Sequence, residues 1–290
     1  MADLRYPEDY HTNFDPKIYL NLFYQNFKAD ETEDGSVLPF VKVFHEFWSN
    51  FKPPTDMEVR YLEFGGGPSL MNLIFACPKV DHIVFAEYTE ANRQAVKAWA
   101  AEKPDAHDWT PLIEIVVLEL EQERGIAAIA DGGSVALSDK EKRERVVNRA
   151  NELKGKIKSI VPCDVTKEPI VQLDSDDVAK LFDVVTTSLC LEACVSSEMH
   201  YKNCVSELGK LLKPNGSLFM NGVLEQTFYF VGQEKFYTFF LTEQLIKEAL
   251  NEAGIEIVKL VTIPVDYTKV ADCKSLFYAY GRKSSGKTGK

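Results

Sequence analysis

Apolar and polar positions fall into a regular alternation from about residue 59 onward. "VRYLEF" (59–64) is a short, mostly apolar run ending at glycines, which predicts a buried strand. "SLMNLIFAC" (69–77) predicts a helix, "HIVFAEY" (82–88) a second strand, and "EANRQAVKAWAAE" (90–102) a helix ending near Pro104. After a charged stretch, "IKSIVPCDV" (157–165) and "FDVVTTSLCL" (182–191) predict strands, "SEMHYKNCVSELGKLLK" (197–213) a helix and "GSLFMNGVL" (216–224) a strand. "TEQLIKEALNEAG" (242–254) predicts a helix capped by Thr242 and stopped by Gly254. "IEIVKLVTIPV" (255–265) and "SLFYAYGRK" (275–283) close the series as two strands. Strands alternating with helices predict an α/β fold with a doubly wound, mostly parallel sheet. The two consecutive final strands predict an antiparallel hairpin on its edge.

The flanks behave differently. Tyr10, Phe14, Tyr19, Phe23 and Tyr24 make an aromatic lead-in, with a helix expected from about Pro16. "KADETEDGS" (28–36) reads as a polar loop, and "LPFVKVFHEFWSNF" (38–51) as an amphipathic helix closed by Pro53 and Pro54. Residues 118–158 are charged and punctuated by Ala and Gly, and read as an insertion. Its latter half predicts a solvated helix, and Asp131 to Ser134 a loose turn. The tail, 284–290, is expected to be disordered.

Composition narrows the classes. With 290 residues and 45% hydrophobic content, the chain suits one large domain or two small ones. Lys plus Arg total 33 and Asp plus Glu 44, a net charge of −11. A nucleic-acid binder usually shows a basic excess, so a polynucleotide substrate is disfavoured. Cys77, Cys163, Cys190, Cys194, Cys204 and Cys273 form no CxxC pair, and read as free thiols of a reducing compartment rather than metal ligands. No apolar leader opens the chain, and no run approaches the roughly 18 apolar residues of a membrane span. The expectation is a cytoplasmic, monomeric protein with no membrane partner.

"EFGGGPSL" (63–70) carries the first chemical signal. A phosphate-binding P-loop needs a lysine that this stretch lacks. The dinucleotide fingerprint GxGxxG lacks its third glycine, because Leu70 stands there. A tight turn that binds nothing also fits. Glu87 lies 22 residues after Gly65 at the end of the next strand, where an acid can accept from both hydroxyls of a ribose. Asp164, in "PCDVT", closes the following strand, where a carboxylate can accept from the adenine amine. Alone it reads better as a helix cap. Beside the glycines and Glu87 the adenosine reading is the better one. Without a pyrophosphate grip, S-adenosylmethionine fits better than a dinucleotide.

The residues resemble the small-molecule N-methyltransferase group that includes the nicotinamide, phenylethanolamine and indolethylamine N-methyltransferases. The likeness runs from Tyr10 to Lys283. It rests on "YHTNFDPKIYL", "GGGPS", "FAEYTEANRQAVKAWAAEKPDAHDWTP", "PCDVT", "TSLCLEA", "LGKLLKPNGSL" and "VLEQTFYFVGQEKF". It implies the seven-stranded, Rossmann-like class I methyltransferase fold (55–283) beneath an N-terminal helical lid (1–54), with S-adenosyl-L-methionine as cofactor. It implies Tyr10, Tyr19 and Tyr24 on the lid over the cofactor, and Gly65, Gly66 and Gly67 under its methionine part. Glu87, Tyr88 and Asn92 would surround the ribose, Asp164 and Val165 the adenine, and Ser188 the methionine tail. Met71 stands where the group has a cofactor-lining tyrosine.

On the substrate side the nicotinamide enzyme carries an aspartate at the position of Gly222. The stretch "GVLEQTFY" is closer to the phenylethanolamine enzyme. Glu192 matches an acid near that enzyme's substrate amine, and Tyr229 a substrate-lining tyrosine. Its second acid falls on Gln226, beside Glu225, and its third on Ala271, beside Asp272.

An alkylamine is mostly protonated at neutral pH, since a lysine-like amine has a pKa of about 10.4. Glu192 could bind the ammonium and then take its proton. An ordinary capping acid is the plainer alternative. Methyl transfer of this kind needs no metal and no covalent intermediate. The expected function is N-methylation of a small amine. The alternatives are a pyridine N-methyltransferase of the nicotinamide type and a non-catalytic cofactor binder.

Overall fold

A computed structural model describes residues 3–25, 38–54, 57–121, 137–175, 177–178, 180–267 and 270–285. The predicted loop at 28–36 and turn at Asp131 to Ser134 lie outside the described residues, as does most of the tail.

Seven strands form the central sheet: β2 (Arg60–Phe64), β3 (His82–Glu87), β4 (Ile157–Pro162), β5 (Phe182–Ser188), β6 (Leu212–Leu224), β9 (Ile255–Pro264) and β10 (Ser275–Lys283). Their order is β4-β3-β2-β5-β6-β10-β9. The first five are parallel, and β10 runs antiparallel to both β6 and β9. The final pair stands at the edge as its sequence implies, with β10 on the inside and β9 outermost. From β2 the chain winds outward to β4 and then returns to β5 on the other side. The topological switch point therefore lies between β2 and β5, where open α/β sheets bind ligands beyond the strand carboxyl ends.

Both sheet faces are covered. On one, α3 (Leu38–Asn50), α4 (Met71–Ala76), α5 (Glu90–Ala100), α6 (Thr110–Glu114) and α7 (Asp139–Lys156) share a core containing Phe44, Trp48, Ile74, Val96, Leu112 and Leu153. On the other, α8 (Leu191–Cys194), α9 (Glu198–Leu211) and α10 (Glu243–Glu252) bury Tyr201, Leu208 and Ile246 against Leu62 and Val185. Thr242 caps α10 by accepting from the Leu245 N–H at 3.3 Å, and Gly254 follows it with φ +71°. The charged stretch does yield a helix, α7, begun by a Ser138–Glu141 capping box. Most of it is exposed, as expected; its buried stripe is Val146, Arg149 and Leu153, and Arg149 pairs with both oxygens of Glu121 at 2.9 Å.

Three features escaped the hydrophobic pattern. Helix α6, which continues as a π-turn over Ile115–Leu120, belongs to no predicted element. The strand β5 stops at Ser188, and "CLEAC" turns into α8. "FYFVGQEKFY" forms a hairpin of β7 (Phe228–Val231) and β8 (Glu234–Tyr237), with Gly232 at φ +61° in its turn. Strand β1 (Leu4–Arg5) adds to β8, and Arg5 bonds Glu234 at 2.6 Å. The chain's start is thus tied to the hairpin. Between them lie α1 (Tyr10–Asn13) and α2 (Pro16–Tyr24), the latter capped by Asp15.

At the opposite end of the sheet, buried Arg60 pairs with buried Asp177, whose carboxylate also lies 3.2 Å from the His82 Nε2. Burial alone would raise the pKa of Asp177; Arg60 and His82 outweigh it and hold it below the ordinary carboxylate range. Asp177→Ala leaves a buried guanidinium without a counter-charge. It is expected to destabilise the fold by about 3–5 kcal/mol, read as a lowered urea midpoint with unchanged slope.

Candidate active site

The turn after β2 is shaped by glycine. Gly65 and Gly67 hold φ of +66° and +59°, where a Cβ is strained. A Cβ on Gly65 would lie 2.0 Å from the Cys190 Sγ, and one on Gly66 2.4 Å from the Phe85 ring. Nothing lies within 4 Å of the same point on Gly67. The backbone here faces a cavity.

Glu87 ends β3 beside this turn. One carboxylate oxygen accepts from the Gly67 N–H at 2.9 Å, the other from the Thr89 N–H and the Asn92 Nδ2, each at 2.9 Å. Arg93 fixes the strand end by donating to the Glu87 and Tyr88 carbonyls. After β4, Asp164 accepts from the N–H and hydroxyl of Thr166. It caps a turn, and among the described residues no helix follows before β5. Tyr88, Asn92, Asp164 and Val165 all line the cavity, together with Gly65, Gly66, Gly67, Met71, Glu87 and Ser188. Tyr10, Tyr19 and Tyr24 reach it from α1 and α2. Burial raises the pKa of all three tyrosines, so they remain neutral hydroxyls.

A second cavity adjoins the first: Tyr19, Phe40, Leu189, Ala193 and Tyr229 line both. Its acid is Glu192, buried at the start of α8. Strand β5 ends opposite Asn221, so the neighbouring edge of β6 loses its ladder partner there. The Glu192 Oε1 takes up the Val223 N–H at 3.1 Å. Burial pushes the Glu192 pKa up to about 7, against two backbone N–H groups that lower it. The rest of the wall is mainly apolar, with Gln226 and Thr238 bonded to each other at 3.3 Å. Tyr229, which lines both cavities, makes a 2.7 Å hydroxyl hydrogen bond with Tyr10.

Two of the expected substrate residues are elsewhere. Glu225 is exposed at φ +54°, with its N–H bonded to the Leu241 carbonyl. That turn sends Gln226 inward and Glu225 outward. Asp272 accepts from the Thr227 and Phe228 N–H groups and the Thr227 hydroxyl, and so pins the start of β7. Neither lines either cavity.

Other polar residues of the cavity were missed. Glu63 lies in its floor, bonded to Tyr61, Thr186 and Asn72. Burial raises its pKa to about 7 even though all three partners lower it. An acid flanked by Leu62 and Phe64 in a buried strand was the available signal. Asn221, on β6, is buried with neither amide atom bonded, and the Ser188 hydroxyl and Asn92 Oδ1 are also unpartnered. A cavity of glycine backbone, ribose-height carboxylate and unsatisfied polar atoms fits a nucleoside with a zwitterionic tail.

The sheet order and the cavity at its switch point define a class I S-adenosylmethionine-dependent methyltransferase fold. The chain is similar to the magnesium protoporphyrin IX methyltransferase of Synechocystis PCC 6803, solved with bound SAH, at TM-score 0.52 and 10% identity, covering 96% of this chain and 97% of that one. Residues 3–284 match the NNMT/PNMT/TEMT family, and the chain belongs to it. It is 27% identical to the nicotinamide N-methyltransferase of Sus scrofa, over 95% of each chain. To the phenylethanolamine N-methyltransferase of Rattus norvegicus it is 26% identical, over 93% of this chain and 88% of the relative. The chain is an N-methyltransferase with S-adenosylmethionine as methyl donor. Among the described residues no helix is long and apolar enough to cross a membrane.

Proposed function

We propose that the protein methylates the nitrogen of a small arylalkylamine or alkylamine, related in shape to a phenylethanolamine, in the cytoplasm. The observation that carries this reading is the buried Glu192 carboxyl in a mainly apolar cavity that adjoins the one lined by the glycine turn, Glu87 and Asp164. An uncharged substrate would leave that carboxyl buried without a cation; an ammonium gives it a partner.

In this reading Gly65, Gly66 and Gly67, with Glu63, Ser188 and Asn221, hold the cofactor's amino-acid tail. Glu87 and Asn92 take the ribose, with Tyr88 beside it, and Asp164 and Val165 take the adenine. Met71 packs against the cofactor, and the lid formed within residues 1–54 covers it with Tyr10, Tyr19 and Tyr24. Bound S-adenosylmethionine supplies an electrophilic methyl group on a sulfonium. Glu192 first binds the substrate ammonium and then accepts its proton, so that the nitrogen gains a lone pair. Gln226 and Tyr229 hold the body of the amine. The Tyr10–Tyr229 contact keeps water from the junction of the cavities, and the walls fix the line of approach on which a displacement depends.

A mass-spectrometric assay with S-adenosylmethionine, phenylethanolamines, tryptamine, simple alkylamines and nicotinamide tests the reading. A mass gain of one methyl or more on an amine is expected. Methylation of nicotinamide alone would replace this reading with the pyridine one.

A further inference from the structure

Gly222 stands in the middle of the cavity-facing end of β6, and its backbone does not require glycine. Its φ is not positive, unlike those of Gly65 and Gly67. Glycine inside a strand weakens it, and its presence often marks a close approach by another group. Here the approaching group is specific. A Cβ at Gly222 would lie 2.4 Å from the Glu192 Oε1 and 2.9 Å from its Cδ, with the Phe277 Cε1 also at 2.9 Å. The Glu192 carboxyl rests against the strand at this point, with Oε1 accepting from the next residue's N–H. Its own backbone carbonyl is anchored on the far side by the Phe239 N–H at 2.7 Å. The helix carrying Glu192 therefore has little freedom to retreat, and any β-carbon at 222 must displace the carboxyl itself.

We infer that Gly222 is a positioning residue for the reaction: the missing side chain is the seat of the Glu192 carboxyl, and no side chain at 222 can share it. The inference rests on the role proposed above for Glu192. It has a consequence for specificity. Among the described residues, the only carboxyl lining the second cavity comes from α8 and is held by a strand N–H. Introducing an acid at 222 would therefore exchange one carboxyl position for another rather than add a second.

The test is a set of four variants, G222A, E192D, G222A/E192D and G222A/F277L, beside the wild type. Each is assayed for kcat and KM on the best amine of the screen, for the pH dependence of kcat/KM, and for cofactor affinity by calorimetry. Gly222→Ala is expected to lower kcat about 100-fold, the cost of misplacing a reacting group by about 1 Å. Its cofactor affinity stays within about twofold of wild type, and the acid limb of its pH profile moves. Glu192→Asp draws the carboxyl back by one methylene and itself loses on the order of tenfold. Because the shorter side chain clears the new methyl, G222A/E192D has the kcat of E192D alone. G222A/F277L relieves only the contact with Phe277 and stays as slow as G222A.

Full activity in G222A overturns the inference, as does a double variant whose loss is the product of the two single losses. Recovery in G222A/F277L also overturns it, since the loss would then belong to core packing. Should G222A alone not fold, equality of E192D and G222A/E192D still supports the inference, and a further fall contradicts it. Unchanged turnover in E192D removes the role of Glu192 itself, a separate failure recognisable from that one variant.

Discussion

Replacing Glu192 by Gln lowers kcat on an alkylamine by about 10²–10⁴-fold, the usual worth of a positioned general base. Gln keeps the volume of Glu and its oxygen can still accept the Val223 N–H, so the change removes charge and basicity rather than packing. Cofactor affinity should stay within about twofold, because Glu192 lines the second cavity and not the first. Calorimetry with S-adenosylhomocysteine checks that half. A pyridine nitrogen carries no proton at neutral pH and would not register the change. An E192Q enzyme with wild-type turnover on an amine would make Glu192 a structural acid that completes the strand edge.

Replacing Glu87 by Ala has the largest expected effect on the cofactor. Its carboxylate draws together the Gly67 N–H, the Thr89 N–H and the Asn92 amide, so it shapes the turn as well as offering acceptor sites to a ribose. A hydrogen bond to a charged group contributes about 1.5–3 kcal/mol. Loss of a bidentate grip, partly offset by water, should weaken S-adenosylmethionine binding about 100-fold. Glu87→Gln keeps the shape and should lose about tenfold. A Glu87→Ala protein that binds with unchanged affinity would place the ribose elsewhere.

Much of this could be read from the chain because the signals were local. The inner strands of a parallel sheet are buried on both faces, so they appear as short apolar runs between turn residues, as in "HIVFAEY". The glycines before Pro68 and the acid ending β3 follow from the geometry of a switch point, which is fixed by strand order. What stayed hidden depends on contacts between distant segments. Glu225 and Gln226 differ by one residue, and only the backbone turn between β6 and β7 decides which one faces inward. Asp272 looked like a displaced substrate acid because its partner, Thr227, lies 45 residues away. Asn221 sits in a strand whose neighbours are apolar, and its unsatisfied amide becomes visible only when β5 ends beside it. The β7–β8 hairpin was masked by its own run of aromatics, whose partners lie in distant segments. Tyr237 stacks on Tyr6, and Phe236 packs against Tyr10 and edge-on to Phe14 near the chain's start.

The most direct test of the central claim is the pH dependence of kcat/KM for an amine, in wild type and in E192Q. Measured at saturating S-adenosylmethionine, this ratio reports the cofactor-bound enzyme and the free amine. With its pKa near 7, Glu192 is an ionised acceptor only above that pH, while the substrate is an ammonium only below about pH 10. Wild type should therefore rise through a limb centred near 7 and fall again as the amine loses its proton. E192Q should lack the limb near 7. A profile that simply rises with deprotonation of the free amine, identical in both proteins, would contradict the account.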